Sequence, residues 1–243
     1  MKNTSIKPYS DSTEDKKHQI ARMFNNISGR YDFLNHFLSL GIDRTWRRKA
    51  VSYMKKGNPR IVLDIATGTG DLAIELARLN PEIIFGIDIS TDMLEIARNK
   101  IKKRGLNKII QFLEGDSEQL IFEDNKFDAV SVAFGVRNFQ NLEIGLNEMH
   151  RVLKPGGRLM ILEFSQPTNP VFKRLYTFYS SVIAPKIGKA VSKDAAAYTY
   201  LNESVKVFPY GEEFCKILST IGYKDIHFHT LTFGVATIYI ANK

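Results

Sequence analysis

The stretch IVLDIATGTGDLA, residues 61–73, constrains this chain more than any other part of it. An apolar strand runs into a turn holding Gly68 and Gly70, and the turn opens a helix at Asp71. A strand, glycine turn and helix in that order form the corner where open parallel sheets hold nucleotide-like ligands. Gly68, Gly70 and Ala73 also satisfy the loose spacing G-x-G-x-x-G/A, so a nicotinamide or flavin dinucleotide is the first alternative for the ligand.

Strands and helices alternate downstream of that corner. EIIFGIDIS, KIIQFLEGD, KFDAVSVAFGV and RLMILEFS read as strands two to five. Between them lie the helices GDLAIELARLN, TDMLEIARNKIKKRG (capped by Thr91, ended by Gly105) and LEIGLNEMHRVLKPGG, stopped by Pro155-Gly156-Gly157. The strands are continuous apolar runs, so helices are expected on both faces of a doubly wound, mostly parallel sheet. YKDIHFHTL and GVATIYIANK read as a terminal hairpin around Phe233-Gly234, bringing the sheet to seven strands. Residues 166–208 break the rhythm as an aromatic, basic helical cap inserted after the fifth strand. Ahead of the sheet, residues 21–58 form an N-terminal helical extension divided at Gly41, with Phe24, Ile27, Tyr31, Leu34 and Leu38 at helical spacing. Residues 1–20 are polar and read as disordered, leaving 21–243 as a single domain.

The acids beside the glycine turn bear on the ligand. Asp64 ends the first strand and Asp71 starts the helix, and two carboxylates repel a diphosphate. They suit a cationic ligand such as S-adenosylmethionine, with Gly68 and Gly70 letting the backbone approach it. Asp88, ending the second strand, is placed to accept from both ribose hydroxyls. Asp116, after the third, is placed to accept from the adenine amino group, with the Ser117 N–H facing the ring. Single acids at strand ends are common, and NAD sites share the feature of Asp88. Three acids ending three successive strands select S-adenosylmethionine over the dinucleotide.

Composition narrows the rest. Cys215 is the single cysteine, which excludes an intrachain disulfide and a cysteine metal cluster, and no metal is expected. No apolar run approaches membrane-spanning length and the start lacks a signal-peptide core, so the expected location is cytoplasmic. The net charge of +8 is localised: residues 1–60 carry 13 Lys and Arg against 5 Asp and Glu, and the remainder balances. Residues 167–193 form a second basic stretch, with Lys173, Arg174, Lys186, Lys189 and Lys193 and no acid. Such segments fit solvated faces, nucleic acid or an anionic lipid surface.

The layout resembles the class I methyltransferases, with VLDIATGTGD, FGIDIS and LEGDSEQL similar to their first three motifs. YDFLNHFLSLGIDRTW (31–46) and RVLKPGGRLMILEFS (151–165) resemble the two signatures of the ubiquinone/menaquinone biosynthesis C-methyltransferase family. FGVRNF (134–139) and YTYLNESVKVFP (198–209) are similar to it as well. The resemblance implies methyl transfer from S-adenosylmethionine to a ring carbon of a polyprenylated hydroquinone, either demethylmenaquinol or the benzoquinol precursor of ubiquinone. It puts cofactor contacts at Thr69, Asp88, Asp116 and Ser117. The basic stretches, with the aromatic segment VFKRLYTFYSSVIAPKIG suiting an interfacial helix, lead one to expect peripheral association with the inner face of an anionic membrane, while a homodimer stays open. Two positions depart from the pattern: Asp43 stands where a histidine is usual, and Ala133 where a serine often follows the fourth strand.

A ring carbon becomes nucleophilic when its neighbouring phenol, with a pKa near 10, is ionised. Arg137, just past the fourth strand, is the expected phenolate stabiliser, and Asn138 the partner of a quinol oxygen. The competing reading makes Arg137 a structural ion-pair partner and Asn138 a helix cap. Glu163 is a candidate orienting group. A nucleic-acid methyltransferase would explain the charge, but VAFGVRN lacks an N-P-P-[YF] motif and no RNA-binding module is appended. A cofactor-binding regulator would lack an enclosed substrate pocket.

Overall fold

The computed structural model describes residues 6–39, 41–178 and 194–243. Seven strands form one sheet: β1 (Ile61–Ile65), β2 (Ile83–Asp88), β3 (Ile110–Glu114), β4 (Phe127–Ala133), β5 (Leu153–Phe164), β6 (Lys224–Leu231) and β7 (Ala236–Asn242). Their order is β3-β2-β1-β4-β5-β7-β6. The first five pair in parallel and β7 runs antiparallel between β5 and β6, as the sequence leads one to expect.

The strands are apolar on both faces because each face meets helices. Along β1, Val62 packs into one layer with Ala129 and Met160, under α2 (Ile42–Met54), α3 (Asp71–Leu76) and α4 (Thr91–Lys103). Leu63 and Ile65 point the opposite way, as strand periodicity dictates. They join Val130 and Ile161 under α5 (Leu142–Val152) and α8 (Glu212–Ile221). The helical cap contributes α6 (Pro170–Phe178) and α7 (Ala195–Val207). Residues 179–193, which include Lys186, Lys189 and Lys193, lie outside the described residues.

Two local expectations are corrected. The cap of α4 is Ser90, whose Oγ accepts from the Met93 N–H, rather than Thr91. The N-terminal extension also starts earlier than residue 21. The first helix, α1, spans Lys16–Leu38, and Asp15 caps it by accepting from the His18 N–H at 2.9 Å. The stretch expected to be disordered is held from residue 6 onward. Ile20 and Met23 are buried against Met93 of α4 and Ala197 and Tyr200 of α7. Burying that stripe offsets the entropy of ordering a polar stretch. Gly41 divides α1 from α2 as expected, at φ 74°.

Candidate functional site

The strand order reverses between β1 and β4, which opens a cleft at the C-terminal ends of the parallel strands. A cavity lies there, where open α/β sheets place their small-molecule sites. Three parts of the chain line it. The ends of β1 to β3 contribute Gly68, Asp88, Asp116 and Ser117. The turn after β4 contributes Phe134 and Asn138, and α1 contributes Lys17, Phe24 and Tyr31.

The two glycines of the turn serve different purposes. At Gly68 (φ 54°) an added Cβ would meet nothing within 4 Å, so the backbone faces open space. At Gly70 (φ 80°) it would lie 2.8 Å from Phe112 Cζ and 3.1 Å from Ala97 Cβ. Gly68 leaves room for a ligand, and Gly70 lets α3 close onto the sheet. Both stand in the left-handed region that side chains disfavour.

Asp88 is fixed by the backbone around it. Its Oδ2 accepts from the Gly68 N–H at 2.8 Å and its Oδ1 from the Ser90 N–H at 2.9 Å. Burial pushes its carboxyl up to about 6, against the pull of the backbone N–H donors of Ser90, Gly68 and Ile89. Asp116, at the end of β3, pairs with Lys17 of α1 and accepts from the Glu118 N–H at 2.8 Å.

Asp64, Thr69 and Gly70, expected at the ligand, do not line the cavity. Asp64 lies fully buried beneath the turn, accepting from Thr67 Oγ1 at 2.6 Å and Ser131 Oγ at 2.9 Å. Burial raises it to about 7 despite both hydroxyls. Thr69 donates to Asp32 of α1 at 2.6 Å and accepts from Lys100 of α4 at 3.0 Å. Asp71 is matched by Lys100 at 2.7 Å. Burial works to raise Asp71, but Lys100 and Arg47 outweigh it and hold the carboxyl below its ordinary range. The repulsion of a diphosphate by two free carboxylates therefore does not operate here, since one is pushed toward its neutral form and the other is paired. The choice against a dinucleotide has to rest on other grounds.

The departure at Asp43 also resolves. Asp43 is buried, accepts from Ser39 Oγ at 2.6 Å, pairs with Arg47, and meets His36 Nδ1 at 2.8 Å. His36 reaches Asp43 from α1. His36, Asp43 and Asp71 bring ligand atoms within 4.8 Å of one another. Arg47 and Lys100 already balance those carboxylates, so the cluster is an ion network in which a further cation gains little.

On the other side of the cleft, Ala66 (φ 50°) and Phe134 (φ 58°) adopt left-handed backbone without being glycine, and both line the cavity. Such strain costs on the order of 1–2 kcal/mol per residue and persists only where neighbours enforce it. Arg137 enforces it at Phe134: Nη1 donates to the Phe134 carbonyl at 2.5 Å and to Glu163 Oε1 at 2.8 Å. Glu163 is wholly buried, and burial raises its carboxyl while Arg137 opposes the rise. Arg137 itself does not line the cavity, whereas Asn138 does. Asn138 donates to the Phe134 carbonyl at 3.4 Å and accepts from the Tyr200 hydroxyl at 3.2 Å.

Sequence reasoning missed Lys16, Lys17 and Tyr200. The apolar spacing of Phe24 and Ile27 continues backward through Ile20, and a cap residue stands at Asp15. Those two signals were available to extend the helix to the lysines.

A model of the ubiE/COQ5 methyltransferase family matches residues 11–243. A "Demethylmenaquinone methyltransferase" of Bacteroides fragilis is 48% identical, with 98% of this chain and 97% of the relative covered. A protein of the same name from Porphyromonas gingivalis is 45% identical over 98% of each chain. A "Ubiquinone/menaquinone biosynthesis C-methyltransferase UbiE" from Geobacter sp. is 46% identical over 94% of this chain and 98% of that one. Among solved structures, a Thermotoga maritima SAM-dependent methyltransferase superposes with a TM-score of 0.65. It shares 19% identity over 92% of this chain and 99% of its own, a likeness of fold alone.

Proposed function

Because the chain belongs to the ubiE/COQ5 methyltransferase family and is an S-adenosylmethionine-dependent methyltransferase of quinone biosynthesis, we propose that its substrate is demethylmenaquinol and its product menaquinol. The observation that carries this choice over the benzoquinol is the 48% identity, end to end, with a relative named for that reaction.

The residues present fit the cofactor. Gly68 offers open backbone, Asp88 a carboxylate for the ribose hydroxyls, and Asp116 with Ser117 an acceptor and donor for the adenine edge. S-adenosylmethionine supplies a methyl group activated on a sulfonium. A carbon–carbon bond forms as the carbon–sulfur bond breaks, and the ring proton leaves to water. The protein's part is alignment and charge. Asn138 takes a quinol oxygen at the cavity wall. Arg137, locked behind it by Glu163, holds the strained Phe134 turn and lends positive potential to the ionising hydroxyl. That assignment moves Arg137 from direct contact to support.

The membrane reading draws on α6 and the β6–β7 turn. Val171 and Phe233 are 65% and 67% exposed, the Phe172 and Phe233 rings stack at 3.9 Å, and Lys173 and Arg174 are exposed beside them. Apolar tips beside basic side chains suit reversible contact with an anionic lipid surface. Among the described residues no helix is long and apolar enough to cross a membrane.

Purified protein given labelled S-adenosylmethionine, with demethylmenaquinol and the benzoquinol precursor offered separately in anionic vesicles, tests the substrate. Label transfer to the naphthoquinol at the higher kcat/KM is expected, and preference for the benzoquinol would reverse the assignment. Flotation with those vesicles should weaken as salt rises and in the Lys173→Gln/Arg174→Gln variant. Salt-independent flotation unchanged in the variant would remove the membrane reading.

A further inference from the structure

Lys16 has no part in the reaction as described so far, yet it lies against the reacting side of the cleft. It sits in the first turn of α1 at 5% exposure. Its Nζ donates to the Phe139 carbonyl at 2.8 Å and the Arg137 carbonyl at 3.4 Å. Both carbonyls belong to the 3₁₀ turn Val136–Asn138 and its cap, which carries Asn138 to the cavity. A lysine ammonium has three donors, so it can hold that turn from its carbonyl side while remaining charged.

A second, much smaller cavity opens at this point, with Lys16, Arg137, Tyr200 and Ser204 in its lining. Asn138 stands between it and the cofactor cavity, since its amide lines the latter while its oxygen accepts from the Tyr200 hydroxyl. Arg137 Nε is buried here without a hydrogen-bond partner. Among the described residues, charged or titratable groups face Lys16 from three elements. Glu118 faces it from the loop after β3, Arg137 from the turn, and Tyr200 from α7. Glu118 is half-buried and already accepts from Asn141, while Glu163, wholly buried, is committed to Arg137. Two buried cations thus stand behind Asn138, Arg137 paired with Glu163 and Lys16 faced by the half-buried Glu118 while its Nζ bonds the neutral carbonyls of the turn. In a low-dielectric interior that arrangement favours an anion at the front.

We propose that Lys16 is a positioning residue of the methyl transfer, whose ammonium fixes the Val136–Asn138 turn and adds to Arg137 the positive potential that favours the phenolate of the bound quinol. The phenol proton passes to water, and nothing is oxidised or reduced in this step. The role rests on the quinol reading above.

Burial pushes the Lys16 ammonium down to about 8, with Arg137 adding to the fall and Glu118 opposing it. A base with a lowered value is charged below that pH and neutral above it, so activity that needs the charge falls as pH rises through about 8.

The test is kcat against pH for demethylmenaquinol at saturating S-adenosylmethionine, in wild type and three variants. Lys16→Arg keeps charge and donors, Lys16→Gln keeps donors without charge, and Lys16→Met keeps neither. The expected results are an alkaline limb near pH 8 in wild type and its displacement to higher pH in Lys16→Arg. Lys16→Gln and Lys16→Met should lose on the order of tenfold in kcat at pH 7, one pKa unit of phenolate stabilisation. Cofactor affinity should stay near wild type in all four proteins. A Lys16→Gln enzyme with wild-type kcat and pH profile overturns the electrostatic role. Equal losses in Lys16→Arg and Lys16→Gln overturn it too, since packing alone would then be at stake. If Lys16→Met does not fold, the Arg and Gln pair still decides. Wild-type protein inactive on the quinol would instead refute the substrate reading, a separate outcome.

Discussion

The two sides of the cleft are built by opposite means. The side that fits the cofactor is assembled from short-range pieces: Gly68, Asp88, Asp116 and Ser117 end consecutive strands, and their partners are mostly backbone N–H groups nearby. The reacting side is assembled from residues far apart in the chain: Lys16, Arg137, Glu163 and Tyr200 meet through buried charge and side-chain hydrogen bonds. The first arrangement follows mainly from the sheet, with α1 closing over it through Lys17, Phe24 and Tyr31. The second needs the sheet, the N-terminal helix and the cap docked together, so its polar groups are costly to disturb.

The largest effect is expected where that cost is concentrated. Arg137→Ala leaves the Glu163 carboxylate buried and unpaired and should lower stability by about 3–5 kcal/mol. Adding Glu163→Gln should return part of the loss, as denaturant unfolding of both proteins would show. Additive losses in the double variant would mean that the pair is not a unit. An activity loss in Arg137→Ala alone therefore cannot be assigned to phenolate stabilisation, which makes the Lys16 series the sharper probe of charge.

Smaller effects separate the two glycines within the cofactor side. Gly70→Ala drives a methyl group into Phe112 and Ala97 and should cost roughly 1–3 kcal/mol of overpacking besides the backbone strain. Gly68→Ala meets open space, so its stability cost is the strain alone, about 1–2 kcal/mol, with its main effect on cofactor affinity. Thermal unfolding and cofactor titration of both variants check this. Identical behaviour would erase the distinction between a packing glycine and a ligand glycine.

A pH dependence is expected as well. Asp64 titrates near 7 in the folded protein against 3.8 ordinarily. The native state therefore holds a proton that the unfolded chain gives up, and stability falls as pH rises across that window. Asp64→Asn should remove this contribution, on the order of 1 to a few kcal/mol, so that its melting temperature changes less between pH 5 and pH 8 than that of wild type. Parallel pH curves would show that the carboxyl is ionised throughout.

The same contrast explains what could be read in the residues. The succession of strands and helices, the final hairpin and the glycine corner follow from local patterns: apolar runs, Gly-Gly spacing, and acids at strand ends. Gly68, Asp88, Asp116 and Ser117 were placed at the cavity for that reason. Asp64, Thr69 and Gly70 share the motif yet do not line the cavity, because the motif fixes spacing but not the partners that hold Asp64 to Thr67 and Ser131 and Thr69 to Asp32 and Lys100. The pairing of Asp71 with Lys100, and the arrival of His36 at Asp43, depend on how α1, α2 and α4 pack. Lys16 looked like one charge in a polar tail; only its docking against the turn at 136–138 gives it a task.

The cofactor assignment at the ends of β1 to β3 is tested most directly by calorimetric titration of Asp88→Ala with S-adenosylmethionine, alongside its melting temperature. Asp88 is buried, faces the cavity and is the acceptor placed for two ribose hydroxyls. Losing charged hydrogen bonds of about 1.5–3 kcal/mol should weaken binding roughly ten- to a hundredfold in a protein that remains folded. A folded Asp88→Ala protein that binds the cofactor as tightly as wild type would contradict the assignment.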